Sequence, residues 1–237
     1  MRIGLASFRC ENRNIPFNLG QMERAMASAR GRADLLCFGE AFLQGFDALC
    51  WDYAADRQLA VSQDSGTMGQ LRRLTRQYGM ALLFGYIESE GDGLYSSCAV
   101  LADGEILHNY RRISRGWKEY DRTDGHYREG SSTGSFRLRG TDLALALCGD
   151  LFDAPERFRT DRTLLWPVYV NYGLEDWADG VLEEYAAQAA LVSPDVLMVN
   201  PIDRDPVNHG GAFRFRNGQV AARIPFDEEG ILYAEVE

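Results

Sequence analysis

The segment Ala33–Phe38, ADLLCF, is a short apolar run that stops at Gly39-Glu40. Apolar character without alternation marks a strand buried on both faces, so a chain carrying it has to cover a sheet from both sides. Val196–Val199 reads as a second buried strand. Helices able to supply the cover are predicted by spacing. Phe17–Arg30 places Leu19, Met22, Met26 and Ala29 on one face, and Thr67–Tyr78 is amphipathic and ends at Gly79, a natural C-terminal glycine.

Further strands are predicted at Arg2–Phe8 and Met80–Glu88, and Tyr95–Leu101 with Glu105–Tyr110 forms a hairpin around Ala102-Asp103-Gly104. Arg111–Gly134 is long, polar and aromatic with no period, which in a compact domain marks a functional or disordered loop. Beyond it, strands are expected at Ser135–Leu138, Leu143–Leu147 and Leu164–Val170. A short helix is expected at Ala154–Asp161 and a longer one at Leu174–Leu191. Phe213–Phe215, Val220–Ile224 and Ile231–Val236 read as a closing meander. The order β-α-β-α, then mostly strands, predicts an α/β fold with strands sandwiched under helices, and no linker or low-complexity tract divides residues 1–237, so one domain is expected.

Composition narrows the partners. At 237 residues and 46% hydrophobic, the chain can bury roughly 70% of its unfolded surface in a single core. A formal charge of -10 leaves no broad cationic surface for nucleic acid or anionic lipid, and a small neutral or cationic ligand suits it better. Five scattered cysteines, an odd number without C-x-x-C spacing, read as free thiols in a reducing compartment. The N-terminus enters a strand pattern directly and no apolar run approaches membrane-helix length, so a soluble cytoplasmic protein is expected.

Chemistry concentrates at strand ends. In Leu143–Asp150, LALALCGD, an apolar strand stops at Cys148, which gives a nucleophile a rigid mount. Gly149 would let a substrate approach the adjacent backbone N–H, an oxyanion donor. Most cysteines in apolar runs are inert core residues, and Cys37 and Cys98 are read that way. Glu40 also ends a buried strand, as a helix N-terminal charge or as a base. Lys118, the only lysine in the chain, sits in the long loop with Trp117, Tyr120 and Tyr127, in a solvated stretch or a pocket wall.

Glu40 after its strand, the Tyr110-Arg111-Arg112 strand end, and L-C-G-D-L before Pro155-Glu156 together resemble the three blocks of the nitrilase superfamily of carbon-nitrogen hydrolases. VLMVNP at Val196–Pro201 and the terminal G-x-L-x-A-E-V resemble its late strands, so the resemblance spans nearly the whole chain. It implies a four-layer αββα sandwich, commonly paired into dimers or larger homo-oligomers, with no cofactor and a Glu-Lys-Cys triad that hydrolyses small amide or carbamoyl compounds. Glu40 matches the family's base and Cys148 its nucleophile.

The lysine position falls on Arg112, a departure, since arginine is bulkier and does not release its proton. Either Arg112 supplies the charge or Lys118 bends back into the site, and the compact ammonium of Lys118 is the preferred candidate. The family's second carboxylate falls near Asp124, shorter by one methylene, and the Pro-Glu element is shifted by extra residues. A nitrile substrate and a catalytically inactive binding subunit are the alternatives.

Other signals are weaker. Gly130–Gly134 formally matches G-x-S-x-G but precedes a strand instead of following one. His108, His126 and His209 show no metal spacing, so no metal is expected. Trp117, Tyr120, Tyr172 and Trp177 are candidates for an aromatic pocket.

Overall fold

The computed structural model describes residues 1–237 as two six-stranded sheets packed face to face with helices outside. The first sheet begins with β1 (Arg2–Ser7), followed by helix α1 (Ile15–Ala29) and β2 (Leu35–Cys37). After the short α2 (Tyr53–Leu59) and α3 (Gly66–Tyr78) come β3 (Ala81–Glu90), β4 (Gly93–Ala102) and β5 (Glu105–Arg111). β1, β2 and β3 are parallel, while β3, β4 and β5 form an antiparallel meander.

The second sheet repeats this plan. β6 (Gly134–Leu138) pairs antiparallel with β7 (Thr141–Leu145), and the short α4 (Asp150–Asp153) leads toward β8 (Leu164–Pro167). α5 (Leu174–Asp176) and α6 (Leu182–Ala190) precede β9 (Asp195–Val199), with β7, β8 and β9 parallel. β10 (Ile202–Arg204) and β11 (Val207–His209) make a separate hairpin. β12 (Ala212–Arg216) and β13 (Gln219–Ile224) complete the second sheet, and β14 (Gly230–Glu235) returns to pair with β1.

Side-chain alternation makes the layers. Ile3, Leu5, Leu35, Cys37, Leu83, Cys98 and Val100 face the second sheet, where they join Leu143, Leu145 and Leu197. Their neighbours Leu36, Phe38, Leu82, Phe84 and Leu101 point the other way, under Met22 and Met26 of α1 and Met68, Leu71 and Leu74 of α3. On the far side, Tyr185, Ala186 and Ala189 of α6 cover the second sheet. Strands with both faces covered must be apolar throughout, which is why ADLLCF lacks alternation.

The helix ends follow local chemistry. The Asn14 side chain accepts from the Phe17 N–H to cap α1, Ser65 caps α3 through the Met68 N–H, and Gly79 closes α3 in the left-handed region at φ 61°. Elsewhere the elements differ from expectation. The segment Ala154–Asp161 holds only a single 3-10 turn, at Pro155–Arg157. Leu174–Leu191 is interrupted by a π-helical stretch at Trp177–Val181, where Gly180 adopts φ 113°. α2 and the β10–β11 hairpin carry too little periodicity to be anticipated.

Candidate active site

Glu40 and Cys148 meet because consecutive carbonyls hold them. The Glu40 N–H donates to the Val168 carbonyl at 3.1 Å, and the Cys148 N–H donates to the Pro167 carbonyl at 2.9 Å. The end of β2 and the end of β7 are thereby tied to adjacent residues at the end of β8, Val168 just beyond it and Pro167 its last, on one rim of the sandwich. Close approach requires glycine on the first sheet. A Cβ on Gly39 would lie 2.8 Å from the Val168 oxygen, and one on Gly85 would lie 2.6 Å from the Glu40 Cα.

Arg112 completes the group. The β4–β5 ladder runs one residue past its end, the Arg112 N–H donating to the Ser96 carbonyl at 2.9 Å. The Ser96 hydroxyl donates to Oε1 of Glu40 at 2.8 Å, and Arg112 Nη1 donates to the same oxygen at 2.9 Å. Arg112 Nε donates to Ser114 Oγ at 2.6 Å. Both members of the ion pair are buried. The remaining nitrogen, Nη2, lies over Gly149, where an added Cβ would approach it to 2.4 Å.

Two further groups stay free for chemistry. Oε2 of Glu40 is buried and accepts no hydrogen bond, and the Gly149 N–H donates to no carbonyl of the chain. Burial, followed by the negative charge of Glu40, pushes the Cys148 thiol up to about 12, against the opposing positive charge of Arg112. The thiol is therefore protonated at neutral pH, and its attack as a nucleophile needs a base to take that proton. Its sulfur lies 3.8 Å from the Tyr169 carbonyl, and Cys148 itself sits in the left-handed region at φ 46°.

Lys118 makes no hydrogen bond or ion pair with Glu40 or Cys148. Its ammonium donates to the Tyr127 carbonyl, pairs with Glu129 at 2.9 Å and lies 4.9 Å from the Tyr120 ring. The backbone ladder delivers Arg112 to Glu40. Asp124 is likewise outside the group, exposed and paired with His126 at 2.8 Å. The aromatic candidates divide between two clusters. Trp117 packs with Tyr127 under the long loop, while Trp177 packs against Tyr185 and Phe213, and Tyr120 and Tyr172 are exposed. Ser131, Ser132 and Thr133 of the G-x-S-x-G match are exposed ahead of β6.

The residues that went unnoticed in sequence are Ser96, Ser114 and Asp150. Ser96 alone left a signal: it stands two before Cys98 on a strand whose inward positions are otherwise apolar. A cavity of about 1690 Å³ opens at the opposite rim, among Asp34, Thr141, Thr163 and Asp195 at the beginnings of the parallel strands. Within it Arg214 pairs with Asp195 and Arg139 with Asp34. No three His, Cys, Asp or Glu side chains converge as a metal-ligand set, and no helix is long and apolar enough to cross a membrane.

Comparison with known proteins identifies relatives of this chain. Residues 4–154 match the family model for carbon-nitrogen hydrolases. The chain is 27% identical over 161 residues to the glutamine-dependent NAD(+) synthetase of Thermotoga maritima, covering 66% of this chain and 27% of that protein. It is 27% identical over 159 residues to an (R)-stereoselective amidase of a Pseudomonas species, covering 67% of this chain and 55% of that one. The chain thus spans from about a quarter to about half the length of these relatives. Among solved structures, an active-site mutant of an amidase of the nitrilase superfamily from Nesterenkonia AN1 superposes with a TM-score of 0.80 at 23% identity, over 100% of this chain and 90% of that one. A carbon-nitrogen hydrolase superfamily protein from Xanthomonas campestris superposes at 0.77 with 18% identity, over 99% and 89%. These structural likenesses establish the αββα sandwich.

Proposed function

The chain belongs to the carbon-nitrogen hydrolase family, and from that premise we propose that it hydrolyses a non-peptide carbon–nitrogen bond in a small amide or carbamoyl compound through a thioester on Cys148. The observation that carries this reading is the convergence of Glu40, Arg112 and Cys148 on one rim, held there by the Pro167 and Val168 carbonyls and the Ser96 residue. The similarity to an (R)-stereoselective amidase supports the same reaction class.

In this mechanism the free Oε2 of Glu40 takes the thiol proton as sulfur attacks the carbonyl carbon. The carbonyl π electrons move to oxygen, and the oxyanion is held by Arg112 Nη2 and the Gly149 N–H. Each such donor is worth roughly 3 kcal/mol in the transition state. Collapse breaks the carbon–nitrogen bond, and Glu40 passes its proton to the departing amine. Glu40 then takes a proton from water, hydroxide adds to the thioester, and the thiolate leaves and is reprotonated. Arg112 serves as a fixed positive charge throughout, because a guanidinium keeps its proton.

The same reading extends to organisation. One domain over residues 1–237, acting as a homodimer or larger homo-oligomer in the reducing cytoplasm, suits five unbridged cysteines and the family resemblance. Ammonia release from a panel of small amides, carbamoyl compounds and nitriles, with the Cys148→Ala protein as control, tests the activity. Release by the native chain and none by the variant is the expected result. No release from any compound by either protein would overturn hydrolysis in favour of a binding role for this fold.

A further inference from the structure

Asp150 is fully buried and accepts four hydrogen bonds, and every donor flanks one of two residues. Oδ1 accepts from the N–H groups of Ile113 at 3.1 Å and Ser114 at 2.8 Å, the two residues that follow Arg112. Oδ2 accepts from the N–H of Leu147 at 2.9 Å, the residue before Cys148, and from the hydroxyl of Tyr110 at 2.5 Å, two residues before Arg112. We infer that Asp150 is the positioning residue that fastens the Arg112 turn to the Cys148 strand end and so sets the guanidinium over Gly149.

The inference rests on the hydrolase reading for its purpose, though its geometry stands apart from it. Arg112 occupies the first turn of a long segment, Arg111–Gly134, that contains no helix or strand between Ile113 and Thr133. A long flexible side chain leaving a strand end into such a loop loses rotamer freedom when it is held in one place. Two of its nitrogens are anchored, on Glu40 and Ser114; its own backbone is held by the Ser96 carbonyl and the Gly130 N–H, and the two residues that follow it are held by Asp150. A carboxylate suits the task because it presents several acceptor lone pairs and no donor, so it can bind four donors at once. Burial raises the Asp150 carboxyl above its ordinary range, while Tyr110, the Leu147 and Ser114 N–H groups and the Arg112 charge pull it back.

A carboxylate in this place could equally serve stability alone, so the test needs a readout that loss of stability does not move. The rate of Cys148 alkylation by iodoacetamide, followed by mass spectrometry of its peptide across a pH series, is such a readout. The charged groups facing the thiol are Glu40, which raises it, and Arg112, which lowers it, with the Tyr185 hydroxyl also close enough to interact. In Asp150→Asn, one of the two donor pairs, Ile113 with Ser114 or Leu147 with Tyr110, meets an amide donor in place of an acceptor, and Arg112 is expected to swing from the thiol. The alkylation midpoint is then expected to rise, and turnover to fall about a hundredfold with KM little changed. Tyr110→Phe removes one of the four bonds and is expected to give a smaller rise in the same direction, which keeps the inference testable if the asparagine variant does not fold.

A midpoint unchanged in both variants, with only a lower melting temperature, would overturn the positioning role. Absence of turnover in the native chain would count against the hydrolase reading alone, because the thiol titration does not depend on a substrate.

Discussion

Arg112 donates from Nη1 to Oε1 of Glu40 across 2.9 Å, and both side chains are sealed from solvent. A buried pair of this kind contributes little net stability when intact, but losing one partner leaves the other charged and unsatisfied. Arg112→Leu is therefore expected to cost about 3–5 kcal/mol and to abolish turnover. Arg112→Lys keeps the charge, loses the Nε bond to Ser114, and should lie between the two in chemical denaturation. A leucine variant as stable as the native chain would show that the pair carries no such tension.

Lys118 is bound within the long loop. Its contacts with Glu129 and the Tyr127 carbonyl make Lys118→Ala a stability variant, expected to lose about 1 kcal/mol while kcat stays within a few-fold. Complete loss of ammonia release in a folded Lys118→Ala protein would return the catalytic cation to that lysine.

The charges around the thiol give opposite signs to two substitutions. Glu40 raises the Cys148 thiol and Arg112 lowers it, so Glu40→Gln should bring the alkylation midpoint down and Arg112→Leu should move it up. At about pH 9, on the rising limb where rate follows thiolate fraction, Cys148 should be alkylated faster in the glutamine variant and more slowly in the leucine variant. Rates that move together, in either direction, would contradict the arrangement.

Gly149 has ordinary helical backbone angles, φ -62° and ψ -8°, so alanine there strains nothing in the main chain. Its Cβ would nevertheless sit 2.4 Å from Arg112 Nη2 and 3.3 Å from Ser114 Oγ. Gly149→Ala is expected to push the guanidinium off the thiol and lower kcat by tenfold or more, roughly the effect of a misplaced group. Its melting temperature should fall as well, because the displaced guanidinium loosens its buried bonds to Glu40 and Ser114. Steady-state kinetics beside a thermal melt separate these two effects.

Cys148 holds φ at 46°, a conformation that costs a residue with a Cβ on the order of 1 kcal/mol. Cys148→Gly should accordingly be at least as stable as Cys148→Ala, the reverse of the usual order for these two residues. Urea titration of both inactive variants measures the difference, and an alanine variant more stable by about 1 kcal/mol would show that the strand end is unstrained.

How much was legible in the sequence depends on how far apart the interacting groups lie. The helices at α1 and α3 and the buried strand at Leu35–Cys37 could be read directly, because cap residues and apolar period act within a few residues of one another. Leu174–Leu191 failed where its period and Gly180 conflict, and the π-helical stretch is the outcome. Glu40 and Cys148 were visible as odd residues at the ends of apolar strands, and their meeting on one rim follows from the N–H of each reaching one of the adjacent Val168 and Pro167 carbonyls at the end of β8.

The identity of the cation beside them was decided only by tertiary structure. Composition drew attention to the single lysine, but a ladder hydrogen bond from Arg112 to Ser96 and the grip of Asp150 on residues 113 and 114 set which positive charge reaches Glu40. Those contacts join residues separated by 16 to 72 positions in the chain. Local period and propensity, which a sequence states openly, carry no record of them; they exist because two sheets must close over one core, leaving the buried carboxylates to find their donors.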